Sequence, residues 1–269
     1  MKKIVEIKNV RFGYTEDQLV LKDIDASIYE GQLISLLGPN GVGKSTLLNC
    51  IIGLLKPQNG EVLLDGEGIQ ILSRKAIAHD IAYVPQTASV PFDYSVLEYV
   101  VMGRTSQLHV WETPSTDDYI NAEDALEKLE ILHLKNRSIT ELSGGEQQKV
   151  CIARSIAQSP RLIIMDEPTS ALDYGNQVKV LHLIKQLSAL GYAILLTTHN
   201  PEHPILLNSD VWILDKSGKL ECGSAEKMIT ETKLTALYDT KIKIFFSKEL
   251  GRRICNVPLL EDCRGDSVK

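Results

Sequence analysis

The amino-acid sequence predicts an α/β fold with a parallel sheet at its centre, an antiparallel N-terminal sheet and an inserted helical segment. Continuous apolar runs at Leu33–Leu37, Leu162–Met165 and Ala193–Thr197 are typical of strands that are covered on both faces. A helical pattern over Val178–Leu190 separates the last two runs, and this order predicts parallel neighbouring strands. From about 88 to 157, apolar residues recur with helical spacing, which predicts a helical subdomain.

The elements that flank the first buried strand follow from their own patterns. Apolar and polar residues alternate over 5–8 and 24–29, which predicts two antiparallel strands of a half-buried sheet. After Leu33–Leu37, apolar residues share one face of a predicted helix: Leu47, Leu48, Ile51, Ile52 and Leu55. We expect Pro57 to end that helix, because proline cannot continue it.

Composition limits the possible functions. The chain has 269 residues, of which 43% are apolar and 24% charged, as expected for one globular domain with insertions. The net charge of −6 argues against nucleic acid as a partner, because such binding needs basic side chains to neutralise phosphates. The longest apolar runs are far shorter than the roughly 20 residues that cross a bilayer. The N-terminus lacks the apolar core of a signal peptide. We therefore expect membrane association only through another chain.

The cysteines and histidines do not predict a metal site. The five cysteines never form a CxxC pair, so neither a zinc ribbon nor a disulfide framework is indicated, and reduced thiols are expected. The segment His199–His203 matches the H-x-x-E-H pattern of zinc peptidases, which needs both histidines on one helical face. Because Pro201 and Pro204 oppose such a helix, we do not assign zinc there.

A phosphate-binding loop follows the first buried strand. Residues Gly38–Ser45 read GPNGVGKS, which satisfies the GxxxxGK[ST] pattern between a strand and an amphipathic helix. Glycines let backbone N–H groups turn toward phosphates, and the helix N-terminus adds partial positive charge. Lys44 is expected to contact the β and γ phosphates and Ser45 to ligate Mg²⁺. The fold class is then a P-loop NTPase core of the RecA-like kind.

Two adjacent carboxylates end the second buried strand. Asp166 and Glu167 follow Leu162–Met165 and lie at the C-terminal edge of the predicted sheet, where open α/β folds bind ligands. Together with the phosphate loop, this arrangement predicts that Asp166 holds Mg²⁺ through water and that Glu167 orients or deprotonates the attacking water.

The segment Leu142–Gln148 reads LSGGEQQ, and with it the chain resembles the ATP-binding cassette (ABC) family over residues 3–240. The resemblance implies that Tyr14 stacks on adenine and that Gln86 senses Mg²⁺ and the membrane partner. It further implies that Ser170–Asp173 is the D-loop and that His199 contacts the γ-phosphate. The residues expected to bind ATP are Tyr14, Gly38, Pro39, Asn40, Gly41, Val42, Gly43, Lys44, Ser45, Thr46, Gln86, Ser143, Gly144, Gly145 and Glu146. The catalytic residues are expected to be Lys44, Glu167 and His199, and the Mg²⁺ ligands Ser45, Gln86 and Asp166.

The resemblance also implies a head-to-tail dimer, in which the signature segment of one copy closes over the ATP of the other. Glu146 stands where the family usually has Gln, and Lys149 where Arg is frequent. Independently of the resemblance, Ser143 and Glu146 satisfy the capping-box pattern at a helix N-terminus. The two roles are compatible, because a helix N-terminus after two glycines is a good anion site.

The function implied is an ATP-hydrolysing subunit that energises separate permease subunits from the cytoplasmic face of the membrane, served by an extracytoplasmic binding protein. The stretch Val90–Arg104 resembles that of iron-siderophore, haem and cobalamin importers, as does the tail Tyr238–Pro258 in the extension that begins at 241. A charge at Val96 or Leu97 is expected to disturb the contact with the permease. Molybdate, zinc or manganese import and a soluble iron-sulfur assembly ATPase remain as alternatives.

Overall fold

The computed structural model describes residues 1–15, 18–86, 93–109 and 111–258, and its sheets follow the predicted layout. The strands are β1 (Lys3–Thr15), β2 (Gln18–Tyr29), β3 (Leu33–Leu37), β4 (Asn59–Leu64), β5 (Glu67–Gly68), β6 (Ile81–Val84), β7 (Leu162–Met165), β8 (Ala193–Thr198), β9 (Asp210–Leu214), β10 (Leu220–Ser224), β11 (Lys243–Ser247) and β12 (Arg252–Asn256). The central sheet has the order β10-β9-β3-β8-β7-β6 and is parallel except for β10. The three buried strands predicted from apolar runs are confirmed as β3, β7 and β8.

The predicted N-terminal antiparallel sheet is also confirmed. It has the order β2-β1-β4-β5, and Val5 pairs with Ile28 while Ile7 pairs with Ala26. The inward side chains pack with α1 (Lys44–Ile51), so this sheet and the central sheet share one core cluster. The sheet therefore covers the face of the core from which the phosphate loop rises.

The first helix is shorter than predicted. Helix α1 ends at Ile51, with Ile52 as its C-cap, and does not run on to Pro57. Gly53 follows with a φ of 70°, a left-handed conformation that glycine adopts without steric cost and that ends helices. The expectation that Pro57 ends the helix is therefore wrong, because Gly53 stops it first.

The remaining helices include the predicted helical segment, inserted between β6 and β7. They are α2 (Arg74–Asp80), α3 (Val96–Val101), α4 (Thr116–Lys128), α5 (Gly144–Ala157), α6 (Tyr174–Ala189), α7 (Glu202–Leu207), α8 (Ala225–Met228) and α9 (Glu231–Tyr238). Helices α3, α4 and α5 pack together in a cluster that also includes residues of β7 and β8. No described helix is long and apolar enough to span a membrane.

The expected permease-facing stretch lies only partly on the surface. Val96 is fully buried in the core of the helical segment, so the expectation that a charge at Val96 reports on the permease contact is wrong. Leu97 is half-buried and packs against the same cluster. Residues 90–92 of this stretch lie outside the described residues.

The C-terminal extension forms its own two-stranded sheet. Strands β11 and β12 pair as a hairpin from Lys243↔Asn256 to Ser247↔Arg252. Ile244 and Cys255 pack on a small cluster that joins β9, α8 and α9. The polar end of the sequence, 261–269, lies outside the described residues.

Candidate ATP-binding and hydrolysis site

The phosphate loop links β3 to α1, as predicted, and lines a cleft of about 600 Å³. Gly41 and Gly43 have φ values of 77° and 111°. A Cβ on Gly43 would lie 2.5 Å from Val20 Cγ1, so only glycine fits this turn. The cleft is lined by Tyr14, Thr15, Gln18, Val20, Asn40, Gly41, Gly43, Lys44, Ser45, Thr46, Gln86 and Glu167.

Lys44 is the cation at the centre of this cleft. Its side chain is 4% exposed, and its Nζ donates to the carbonyl oxygens of Gly38 at 2.8 Å and Pro39 at 3.1 Å. The same Nζ lies 3.1 Å from Glu167 Oε1. Lys44 therefore joins the phosphate loop to the acidic end of β7, a contact that the two motifs do not predict individually.

The Glu167 carboxylate contacts residues from three other motifs of the site. Its Oε2 lies 3.3 Å from His199 Nδ1 and accepts from Gln86 Nε2 at 3.4 Å, while Oε1 faces Lys44. Its backbone φ is 45°, in the left-handed region that is uncommon for a residue with a Cβ. The turn sends the carboxylate from the end of β7 into the cleft, where its side chain is 11% exposed.

Asp166 is more buried than Glu167 and is not among the described residues that line the cleft. Its Oδ1 accepts from Thr197 Oγ1 at 2.6 Å, and its Oδ2 accepts from Tyr83 OH at 3.4 Å. The Thr197 hydroxyl also accepts from the Glu167 N–H at 2.7 Å. Burial, followed by the Asp166 charge, raises the pKa of Tyr83 to about 12, so this phenol remains a donor. Thr197 thus fixes both acidic residues.

Sequence analysis missed this role of Thr197, although a signal for it was present. Met165 pairs with Leu196 across parallel strands, so the residues that follow them, Asp166 and Thr197, are neighbours. A threonine in an otherwise apolar buried run needs a hydrogen-bond partner. Parallel pairing of these two strands therefore places Asp166 and Thr197 side by side.

Gln86 and the D-loop meet at the rim of the cleft. Gln86 Nε2 donates to Ser170 Oγ at 3.2 Å, and Ser170 Oγ donates to the Glu167 carbonyl at 3.1 Å. Asp173 caps α6 by accepting from Asn176 N–H at 2.8 Å. The structure thus links Gln86 to the Ser170–Asp173 segment, which resembles the D-loop, through one serine.

Tyr14 lies at the opposite wall of the cleft, in an exposed position. Its ring is 69% exposed and meets Phe12 edge-on, with 5.2 Å between the ring centroids. Its hydroxyl lies 3.1 Å from Thr46 Oγ1. An aromatic face open to the cleft has the geometry needed for stacking on a base.

The signature segment is not brought to this cleft. Ser143 caps α5, its hydroxyl donates to Glu146 Oε2 at 2.7 Å, and the Ser143 N–H donates to the same oxygen at 2.9 Å. This confirms the predicted capping box, and the bonds from Ser143 lower the pKa of Glu146. A Cβ on Gly145 would lie 2.9 Å from Asn176 Cγ, so glycine permits close approach to the D-loop helix. Within one chain, Ser143 and Glu146 are absent from the described cleft lining.

The segment between β8 and α7 carries His199 at its start. The His199 side chain is 50% exposed. Helix α7 begins at Glu202, so His199 and His203 do not share a helix, in agreement with the argument against zinc. His203 is buried, and its Nδ1 lies 2.8 Å from Thr198 Oγ1, which accepts from the Asn200 N–H at 3.0 Å. The Thr198 hydroxyl therefore bonds to both the His203 ring and the Asn200 backbone in this turn.

The neutral His203 predicts an acid sensitivity of folding. Burial, with a contribution from His199, lowers its pKa to about 4 from an ordinary 6.5. The unfolded chain therefore binds a proton first as pH falls, and stability is lost from pH 6.5 down to about 4, by on the order of 3 kcal/mol. His203→Asn keeps an acceptor but does not titrate. The measurement is urea unfolding of both chains between pH 7.5 and 4, and parallel losses of stability would contradict the assignment.

This geometry defines a P-loop ATPase: a glycine-rich cradle with one buried lysine, two carboxylates at a strand end, and a histidine beside the second carboxylate. A family model described as ABC transporter matches residues 21–170. The chain belongs to the ABC transporter family and is an ATP-binding ATPase subunit. The predicted fold class and the resemblance are both confirmed.

Several relatives cover most of their own length and of this chain. An uncharacterised ABC transporter ATP-binding protein of Haemophilus influenzae is 40% identical, over 88% of this chain and 90% of the relative. The molybdate import ATP-binding protein MolC of the same organism is 35% identical, over 88% and 89%. The "Probable iron chelatin transport ATP-binding protein" of Helicobacter pylori is 35% identical, over 89% and 94%.

One solved structure matches almost the whole chain. It is an inward-facing ABC transporter, provisionally described as of the metal-chelate type, and is 33% identical with a TM-score of 0.85. The match covers 97% of this chain and 99% of the other.

Proposed function

We propose that this chain is the ATPase subunit of an importer for a metal chelate, an iron-siderophore, haem or cobalamin. The observation that carries the proposal is the extent of the match to the metal-chelate-type transporter. A coverage of 97% leaves only about 8 of 269 residues outside it, whereas the extension 241–269 alone has 29. The match therefore includes most of the C-terminal extension as well as the ATPase core.

The site supports hydrolysis by positioning and charge. Glu167 presents one carboxylate oxygen to His199 and the other to Lys44, so it is held where it can accept a proton from water. Lys44 would contact the β and γ phosphates of ATP. Its Nζ would then donate to charged phosphate oxygens instead of the loop carbonyl oxygens. His199 would place a donor at the γ-phosphate. Together these groups stabilise charge that develops on the transferred phosphoryl group.

The donor set also fits Mg²⁺. Ser45, Gln86 and Asp166 offer hydroxyl, amide and carboxylate oxygens, the ligands this cation prefers. Gln86 uses its amide nitrogen toward Glu167 and Ser170, which leaves its carbonyl oxygen for a ligand. When bound with ATP, the ion would neutralise phosphate charge.

A second copy of the chain is needed to complete this site. Ser143, Gly144, Gly145 and Glu146 lie on the N-terminus of α5, away from the described lining of their own chain's cleft. In a head-to-tail dimer they would close over the partner's ATP, where a helix N-terminus suits an anion. The dimer would act on permease subunits from the cytoplasmic face of the membrane, with an extracytoplasmic protein delivering the chelate.

Co-purification followed by transport tests the proposal. The tagged chain is isolated from detergent-solubilised membranes, and the co-purifying permease complex is reconstituted with MgATP. Uptake of labelled ferric siderophore, haem, cobalamin and molybdate is then compared, with Lys44→Ala as the inactive control. We expect ATP-dependent uptake of one chelate. Uptake of molybdate alone would favour the function of the MolC relative, and a chain without any polytopic partner would favour a soluble assembly ATPase.

A further inference from the structure

The C-terminal part of the chain contacts the His199 segment at its start. The Tyr238 hydroxyl, at the end of α9, donates to the His199 carbonyl oxygen at 2.8 Å. Burial raises the pKa of Tyr238, and its neighbours Cys255 and Glu167 raise it further. The phenol therefore keeps its proton and remains a donor to this carbonyl throughout the physiological pH range.

A second contact holds the other end of the same segment. The Glu202 carboxylate accepts from the Arg252 guanidinium and from the Cys255 backbone N–H, both on β12. The Glu202 and Arg252 side chains are 20% and 27% exposed, so this pair is less screened by solvent than a surface pair. Tyr238, Arg252 and the Cys255 N–H together form what we call the C-terminal clamp.

The His199 ring depends on the backbone that carries it. The ring is half exposed, and within the described part of the chain its one hydrogen bond is to Glu167, at 3.3 Å. The clamp holds the His199 carbonyl on one side of Asn200 and Pro201, and the Glu202 carboxylate on the other. A small shift of this segment would move the ring away from the reacting centre, and misplacement by about 1 Å can cost about 10²-fold in rate.

We propose that the C-terminal clamp is a positioning element of the hydrolytic site, which keeps His199 beside Glu167. The inference rests on the role of His199 in the proposed function. The described lining of the ATP cleft includes no clamp residue, so the clamp acts on turnover and not on ATP affinity. The C-terminal extension is thereby assigned a function in catalysis, as a positioning device that acts through the backbone of another segment.

The test uses conservative variants of the full chain. Tyr238→Phe keeps the ring and removes the donor, while Arg252→Ala removes the pair with Glu202 and Arg252→Lys retains a cation. Matched controls are Tyr192→Phe, a half-buried tyrosine that lines a different cavity, and Lys243→Ala, which breaks an ion pair between the extension and Glu231 of α9. We measure kcat and KM for ATP, and hydrogen exchange of the Asn200, Glu202 and His203 amides.

We expect Tyr238→Phe and Arg252→Ala to lower kcat by about tenfold with KM within twofold, and to speed exchange of these amides. Arg252→Lys should recover most of the loss, and the controls should match the wild type. A kcat within twofold of wild type in Tyr238→Phe and Arg252→Ala, or equal losses in the controls, would overturn the clamp. His199→Ala distinguishes the role of His199 from the role of the clamp. If His199→Ala hydrolyses ATP normally, the proposed role of His199 is wrong. If His199→Ala is inactive while Tyr238→Phe is normal, only the proposed role of the clamp is wrong.

Discussion

Glu167→Gln is expected to lower the rate of ATP hydrolysis by about 10²–10⁴-fold, the range of a general base, while ATP still binds. The amide keeps the shape and one acceptor oxygen but removes the negative charge that faces Lys44 and His199. Binding should persist, since loss of that charge leaves Lys44 free to pair with phosphate. Single-turnover hydrolysis and nucleotide affinity are measured in parallel, with Glu123→Gln, a surface glutamate paired with Lys135, as control.

The same variant should accumulate as a dimer in MgATP, because in the proposed head-to-tail dimer hydrolysis would separate the two copies. Adding Ser143→Arg places a bulky side chain where the partner's γ-phosphate would lie, and should abolish the dimer. Size-exclusion chromatography with and without MgATP follows both steps. Hydrolysis at the wild-type rate in Glu167→Gln would remove the base assignment, and a double variant that still dimerises would remove the role of Ser143 in the partner's site.

Lys44→Ala should abolish tight MgATP binding. The lysine is the one cation that the structure places within the described phosphate loop, and its Nζ contacts two loop carbonyls and Glu167. Without it, several phosphate charges would meet the Glu167 carboxylate with no side-chain cation between them. Fluorescence titration with a nucleotide analogue measures the loss, and Lys135→Ala is the matched surface control.

Unchanged ATP affinity in a folded Lys44→Ala chain would refute the phosphate-loop assignment. Circular dichroism and thermal unfolding establish whether the variant is folded, because Lys44 also holds the loop carbonyls of Gly38 and Pro39. A chain with native spectra and normal affinity would place the nucleotide elsewhere in the molecule.

Motifs with a fixed spacing made most of the ATP site predictable. Gly38–Ser45 and the acidic pair after Met165 are local in sequence, and parallel strands carry both to one sheet edge. The three strands of the central sheet that were identified in advance are continuous apolar runs, and the two N-terminal strands show regular alternation. In contrast, β4 begins with Asn59, Gly60 and Glu61, which hides its apolar half from periodicity.

The unpredicted contacts join segments that are distant in sequence. Tyr238 and His199 are 39 positions apart, and no motif relates them. Arg252 reaches Glu202 across 50 positions. These pairs depend on how α9 and the β11–β12 hairpin pack against the segment from His199 to Glu202. The side-chain pattern within one element does not determine that packing. The burial of Val96 was not predicted, because Glu98 is the one charged residue of this short helix. The pattern of apolar and polar residues therefore does not identify which face of α3 is exposed.

The left-handed backbone of Glu167 lowers the stability of the fold at the same residue whose carboxylate is proposed to act in ATP hydrolysis. At a φ of 45°, a side chain crowds its own backbone, a cost of about 1–3 kcal/mol that glycine would avoid. Substitution by glycine would relieve this strain but would also remove the carboxylate, so a gain in stability at this position would come with the loss of the proposed proton acceptor. The fully buried strands β7, which Glu167 follows, and β8, which pairs with β7, bury apolar surface that offsets this local cost.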